Sequence, residues 1–410
     1  MKKTTDEYPP YEGDRISLQE AVSKGGGPVA GRWCGKGLGD FSLKISLSGV
    51  LGCNPSDGDW ISGILSRRDN GWILEEARIH SPRKSDPTES DMPDMDLAGR
   101  RRILKLRADI LFQIRSFFRE SGFLEVETPA RVCCPAVEPY LNSVSVQGGF
   151  FLITSPELHL KRLLAAGYER IFEIARVFRL EENSSLHLCE FSMLEWYRAW
   201  AGISDIMTDC EDLVISLSLK TGRIPPKKPF PRITYREVFR RYTGLDPAES
   251  DIKELHRAAD RMGVVHSLPD SPADIIAGIF AGCVEPRFGE LGAVFITDFP
   301  ASSAAFARTR PDPVFPVAER FELYLDGFEI ANAFHELTDP DEHRKRIAKW
   351  QSKRQRPDGQ AYQVDEAFLK ALDSGMPPAS GIALGIDRLL MWLLGTKNIQ
   401  SVVAFPDDQA

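Results

Sequence analysis

Between Leu97 and Ser121 the apolar residues Ile103, Leu106, Ile110, Ile114 and Phe117 recur at intervals of three and four. That spacing predicts an amphipathic helix, which Gly122 can end. "FLEVETP" then reads as a strand stopped at Pro129. Further on the period changes to two. "ERIFEIARVF" (169–178), "FSMLEWYRAW" (191–200) and "RFELYLDGFEIANAF" (320–334) predict strands of antiparallel hairpins, with Asp326-Gly327 as a tight turn. "IDRLLMWLLG" (386–395) closes the chain as a helix. The strict strand–helix–strand rhythm of a doubly wound sheet is missing, so the expected class is α+β, an antiparallel sheet backed by helices. No Gly-x-Gly-x-x-Gly and no Walker loop is present, so a nucleotide would have to be bound another way.

The first hundred residues follow a different pattern. Residues 1–25 are polar and turn-rich, expected to be a flexible N-terminus. Residues 26–82 carry short alternating segments: "PVAGRWCGK", "DFSLKISLSG", and a hairpin "DGDWISGILSRRDNGWILEEARIH" turning at Asp69-Asn70-Gly71. They predict a small all-β domain. Residues 83–97, rich in Pro, Ser and Asp, read as a linker to a catalytic-sized domain over 98–410.

Charge narrows the partners. The formal net charge is -8, and acidic residues outnumber basic ones 16 to 12 over residues 1–97, so no broad nucleic-acid surface is expected. No apolar run reaches the roughly 18 residues of a membrane span. The N-terminus lacks an apolar stretch after its lysines, and the seven cysteines form no Cys-x-x-Cys pair. The expectation is a cytoplasmic protein with reduced thiols.

Three segments carry candidate chemistry. In "FRLEENSSLHLCEFSMLEWY" (178–197), alternation puts Phe191, Met193, Glu195 and Tyr197 on one face, and Ser192, Leu194 and Trp196 on the other. In the preceding strand Glu173, Ala175, Val177, Arg179 and Glu181 share a face. An arginine fork suits a phosphate or carboxylate, an aromatic face suits a purine, and a desolvated carboxylate beside a tyrosine suits an ammonium. Read alone, the segment is equally a sheet with a salt-bridged outer face. Glu322, Glu329 and Glu336 recur every seven residues. Such carboxylates suit Mg²⁺, although charged edges of a solvated hairpin look the same. Strict alternation sets Glu329 and Asn332 on opposite faces, so a shared site requires a bulge between them. Finally, Gly381 and Gly385 let backbone approach closely, and Arg388 in the first turn of the last helix makes an anion site.

Together these segments resemble motifs 1, 2 and 3 of the class II aminoacyl-tRNA synthetases: the helix 100–121 with "GFLEVETP", then "FRLE…H…EF", then "GIALGIDRL". "TSPELHLKRLLAAGYERIFEIARVFR" and "EIANAFHELTDP" are similar to lysyl-tRNA synthetase catalytic domains, over about 100–410. Within that group the chain most resembles the elongation factor P lysine ligases. It has Ala383 where the synthetases have glycine, His335 where they have Ser or Thr, and matching "EFSMLEWYR" and "VVAFPDDQA". That family attaches lysine, preferably (R)-β-lysine, to a lysine side chain of elongation factor P.

The resemblance implies ATP and Mg²⁺ as cofactors, an aminoacyl-adenylate intermediate and a homodimer through the motif 1 helix. By match, Arg179 holds the α-phosphate and reacting carboxylate, and Arg388 takes the γ-phosphate. Phe191 stacks adenine. Glu181, His187, Leu188, Ile330 and Gly385 complete the ATP site, and Glu322 and Glu329 carry the metal. Ser155, Pro156 and Glu157 lie at the substrate's near amino group. Glu195, Tyr197, Asn332 and Glu336 form the lysine pocket with Ala383, whose methyl group would favour an amine shifted to the β-carbon. The chain departs from the family at Leu188-Cys189, where Asn-Pro is usual, and at Leu180. Residues 28–82 resemble a shortened OB-fold without the aromatic and basic platform that stacks RNA, so tRNA binding is not expected. A tRNA-charging enzyme and a non-catalytic synthetase-like binding protein remain the other readings.

Overall fold

The computed structural model describes residues 26–32, 45–48, 60–68, 71–81, 97–135, 141–180, 184–264, 271–353 and 363–405. The chain divides into two compact units, 1–102 and 103–410. In the first, β1 (Gly26–Arg32), β2 (Ile45–Ser48), β3 (Trp60–Arg68) and β4 (Gly71–Ser81) form one sheet in the order β1-β3-β4-β2. Ile61, Leu65, Trp72 and Leu74 are its buried apolar side chains among the described residues. Asp69 and Asn70 of the expected hairpin turn lie outside the described residues, as do residues 1–25, 82 and the linker up to residue 96.

The larger unit begins in helix α1 (Leu97–Glu120). Gly122, at φ 77°, ends it as expected, because its left-handed conformation turns the chain back. The strand of "FLEVETP" is shorter than expected: β5 is only Leu124–Glu125. Then come β6 (Arg131–Val132), β7 (Ser145–Val146), β8 (Phe150–Leu152), α2 (Glu157–Ala165), β9 (Arg170–Phe178), β10 (Glu190–Ala199) and α3 (Ile203–Thr221). A helical segment of α4 (Tyr235–Thr243), α5 (Ile252–Met262) and α6 (Pro272–Ile279) follows β11 (Arg232–Thr234). The rest is β12 (Ala293–Pro300), β13 (Thr309–Arg310), β14 (Val317–Leu325), β15 (Phe328–His335), α7 (Pro340–Lys353), α8 (Glu366–Asp373), β16 (Ala379–Gly385) and α9 (Ile386–Leu394).

Nine strands make the main sheet, in the order β11-β12-β14-β15-β16-β10-β9-β5, with β13 also on β14. It is antiparallel except at its ends, where β11–β12 and β5–β9 run parallel. The expected α+β class stands. Alternation along β10 sends Leu194 and Trp196 into the main core, where they join Ile110, Ile114 and Phe118 of α1, Leu213 and Leu217 of α3, and Leu389 and Leu393 of α9. Met193 and Tyr197 pack into other clusters across the strand. The sheet therefore has helices behind one face and leaves the other for the site.

Candidate active site

Two adjoining cavities open on that free face, and both are lined by Arg179, Met193, Asn332 and Ala383. The larger, about 320 Å³, is also lined by His187, Leu188, Phe191, Glu329, Ile330, Gly385 and Arg388. The smaller, about 70 Å³, is also lined by Ser155, Glu157, Glu195, Tyr197 and Glu336. One end thus carries arginines and an aromatic ring, the other three glutamates.

The larger cavity is organised by Arg388, in the first turn of α9. Its guanidinium donates to the Glu329 carbonyl at 2.9 Å, to Glu329 Oε2 at 3.1 Å and to Nε2 of His187. With Nε2 accepting, the other ring nitrogen carries the proton and donates to Ser184 Oγ at 3.0 Å. The Arg179 guanidinium lies 5.2 Å from the centre of the Phe191 ring. The bulge that a shared site requires is present. Tyr324 faces Glu329 and Leu323 faces Ala331, so Ile330 is the extra residue, and Glu329, Ile330 and Asn332 all line the cavity. Leu188 lines the cavity from a side chain that is buried in the main core. Glu181 lies outside the described residues.

In the smaller cavity, Ser155 ties the Glu195 carboxylate to the start of α2: its hydroxyl donates to Glu195 Oε1 at 2.6 Å and accepts from the Glu157 backbone amide at 3.0 Å. Tyr197 donates to Glu195 Oε2 at 3.1 Å. Burial pushes the Glu195 carboxyl up to about 8; repulsion from Glu157 adds to this, and the Ser155 and Tyr197 hydrogen bonds oppose it. Burial raises Glu336 to about 7 against the pull of Lys161. Lys161 Nζ sits 2.6 Å from both Glu157 Oε1 and Glu336 Oε2. Neither Glu336 oxygen receives a well-directed hydrogen bond among the described residues.

Three residues read as candidates in the sequence line neither cavity. Pro156 does not line the cavity; it is the N-cap residue of α2, and its neighbours Ser155 and Glu157 face the site. Glu173 lies across from Glu195 on the same sheet face but lines neither cavity, accepting the Thr128 amide at 2.9 Å. Glu322 lines neither cavity, because Arg320 and the Tyr324 hydroxyl, at 2.7 Å, take its two oxygens.

Sequence reasoning missed Lys161 and the strut behind Ser192. There Asp387 accepts the Ser192 amide at 2.8 Å and pairs with Arg107, which also donates to Ser192 Oγ at 2.9 Å. For Lys161 the four-residue spacing from Glu157 was a visible signal.

Glu322, Glu329 and Glu285 carry the hard oxygens a divalent cation takes, but among the described residues no group of three or more His, Cys, Asp or Glu side chains is disposed to hold a metal ion. Burial raises Glu322 to about 7, and repulsion from Glu329 and Glu285 adds to it, so these oxygens crowd one another. A cation there would displace Arg320 and Arg388 from the carboxylates they now hold.

Residues 90–409 match the family described as tRNA synthetases class II (D, K and N). The chain belongs to that family. Among its relatives is the elongation factor P–(R)-β-lysine ligase of Haemophilus influenzae, 39% identical over 313 residues, covering 74% of this chain and 94% of the relative. The enzyme of the same name from Vibrio cholerae is 39% identical over 319 residues (75% and 96%), and that from Vibrio atlanticus 40% over 314 residues (74% and 95%).

Proposed function

We propose that this protein is an ATP-dependent, AMP-forming ligase that activates (R)-β-lysine or lysine and transfers it to a lysine side chain of elongation factor P. The observation that carries this reading is the polarity of the site. An arginine end beside an aromatic ring suits a nucleotide, and it adjoins an end lined by three glutamates that suits amino groups. The relatives' name supplies the acceptor.

In the first step a carboxylate oxygen of the amino acid attacks the α-phosphorus of ATP and pyrophosphate leaves. Arg179, which borders both cavities, stands where the two reactants meet and stabilises the charge that develops. Arg388 and His187 bind the distal phosphates, and Phe191 stacks on adenine. Glu157, Glu195 and Glu336 hold the ammonium groups, with Tyr197 and Asn332 beside them. Glu322 and Glu329 would hold Mg²⁺, which neutralises phosphate charge. In the second step the acceptor amine attacks the acyl carbon and AMP leaves. Arg179, Glu322, Glu329 and Arg388 are all retained, which favours an enzyme over a non-catalytic relative.

The same reading includes a homodimer through α1, where Phe112 is exposed, and a cytoplasmic location. Among the described residues no helix is long and apolar enough to cross a membrane. The N-terminal sheet is read as an OB-like remnant or protein-contact module. ATP–pyrophosphate exchange stimulated by (R)-β-lysine and lost in Arg388→Ala is the expected test result. Absence of exchange with every diamino acid would contradict the reading.

A further inference from the structure

Lys161 is the only buried lysine or arginine among the described residues. It rises from α2 between Glu157, one turn earlier on the same helix, and Glu336 at the exit of β15, with Nζ 2.6 Å from each carboxylate. The Phe306 ring covers it, its centre 4.9 Å from Nζ. Burying an ammonium is unfavourable, and here two carboxylates more than offset that, leaving the group above the ordinary lysine value.

The charges around it can be summed. Glu157, Glu195 and Glu336 border the small cavity, and Lys161 lies beneath it. Other titratable groups packed nearby are Tyr197 of β10, His343 of α7 and Glu173 of β9, which faces Glu195 across the strand pair but borders neither cavity and accepts the Thr128 amide. Burial raises the Tyr197 hydroxyl, and it stays neutral. His343 is pushed down to about 3 by burial and by Lys161, and its Nε2 lies 2.7 Å from the Leu337 carbonyl, so it too is neutral. With the three cavity carboxylates ionised, the state that bound ammonium groups favour, they and the one ammonium leave a formal charge of minus two. A diamino acid whose carboxylate is held at Arg179 brings two ammonium groups.

We propose that Lys161 is a positioning residue acting as a resident ammonium: it compensates one of the three glutamates and fixes Glu157 and Glu336 about a common centre, so that the pocket is charge-matched to a substrate with two amino groups. This deepens the diamino-acid reading above and rests on it. Lys161 itself lines neither cavity. It acts through the carboxylates it orients.

The test is ATP–pyrophosphate exchange by the full chain, wild type and Lys161→Met, with (R)-β-lysine and α-lysine between pH 6 and 9. The expected result is an amino-acid KM raised roughly a hundredfold or more, with the KM for ATP nearly unchanged. The pH range over which the amino-acid KM falls should move upward by about one unit, because the uncompensated carboxylates retain a proton. Lys161→Arg, which keeps the charge, should recover part of the loss. An unchanged amino-acid KM overturns the proposal. So does an equal loss for ATP and amino acid without the pH displacement, which a purely structural role would give. If the Met variant does not fold, Lys161→Gln takes the same measurements. Calorimetry on the wild type offers an independent check: (R)-β-lysine binding at pH 7 should release about one proton, and net proton uptake would contradict the charge count. Absence of wild-type exchange with any diamino acid would overturn the functional reading instead. Wild-type exchange with an indifferent Lys161→Met overturns this inference alone.

Discussion

Gly381 of β16 lies directly across from Tyr197 of β10, with no room between them for a side chain. A methyl group at Gly381 would clash with the edge of the Tyr197 ring and lie 2.6 Å from Glu336 Oε1. The glycine is therefore required by close approach, because both groups are fixed parts of the small cavity.

Gly381→Ala should displace the Tyr197 ring and raise the amino-acid KM by roughly tenfold to a hundredfold, the cost of overpacking a filled site being about 1–3 kcal/mol. In the Tyr197→Ala background the same substitution should add little, because the clash is gone. Exchange kinetics on the three variants check this. Full additivity would contradict it.

Asp387 ties α9 to β10 and α1 through the Ser192 amide and Arg107. It is 1% exposed. Asp387→Ala strands the Arg107 guanidinium and should lower stability by about 3–5 kcal/mol in urea unfolding. Adding Arg107→Ala should cost less than its separate effect, since the partner charge is already lost.

Glu195 titrates near 8 and Glu336 near 7, both raised above 4.5 mainly by burial. The folded protein thus holds protons there that the unfolded chain has already released. The resulting stabilisation is complete below about 4.5 and is lost as pH rises through 7 to 8. A diammonium ligand reverses the trend, because it binds the ionised carboxylates. The melting-temperature gain from saturating (R)-β-lysine should therefore be larger at pH 8.5 than at pH 6.5. Glu195→Gln should remove most of that difference.

Ala383 is paired with Glu195 on one side and Asn332 on the other, and it lines both cavities. Its methyl group sits where the two cavities adjoin. Ala383→Gly should shift the ratio of α-lysine to (R)-β-lysine exchange toward α-lysine. An unchanged ratio would show that the methyl group does not select the amine position.

Much of this was legible in the chain because it depends on local pattern. Period two along β10 separates Leu194 and Trp196 from Glu195 and Tyr197, and the need for Glu329 and Asn332 to share a site calls for a bulge or bend between them, which the register places at Ile330. What escaped depends on distant partners. Arg107 and Asp387 are 280 residues apart, and nothing local marks them as a pair. The coupling of Lys161 to Glu336 likewise exists only once α2 and the end of β15 meet. Pro156 escapes the local pattern because the chain turns there into α2, so it caps the helix and does not line the cavity. Glu322 is engaged by Arg320 and Tyr324, which share its strand face.

The central claim is tested most directly by offering the enzyme ATP with labelled (R)-β-lysine and α-lysine, side by side with elongation factor P and with tRNA as acceptors. The account predicts label on elongation factor P, more from (R)-β-lysine, and none on tRNA. Label on tRNA alone would contradict it.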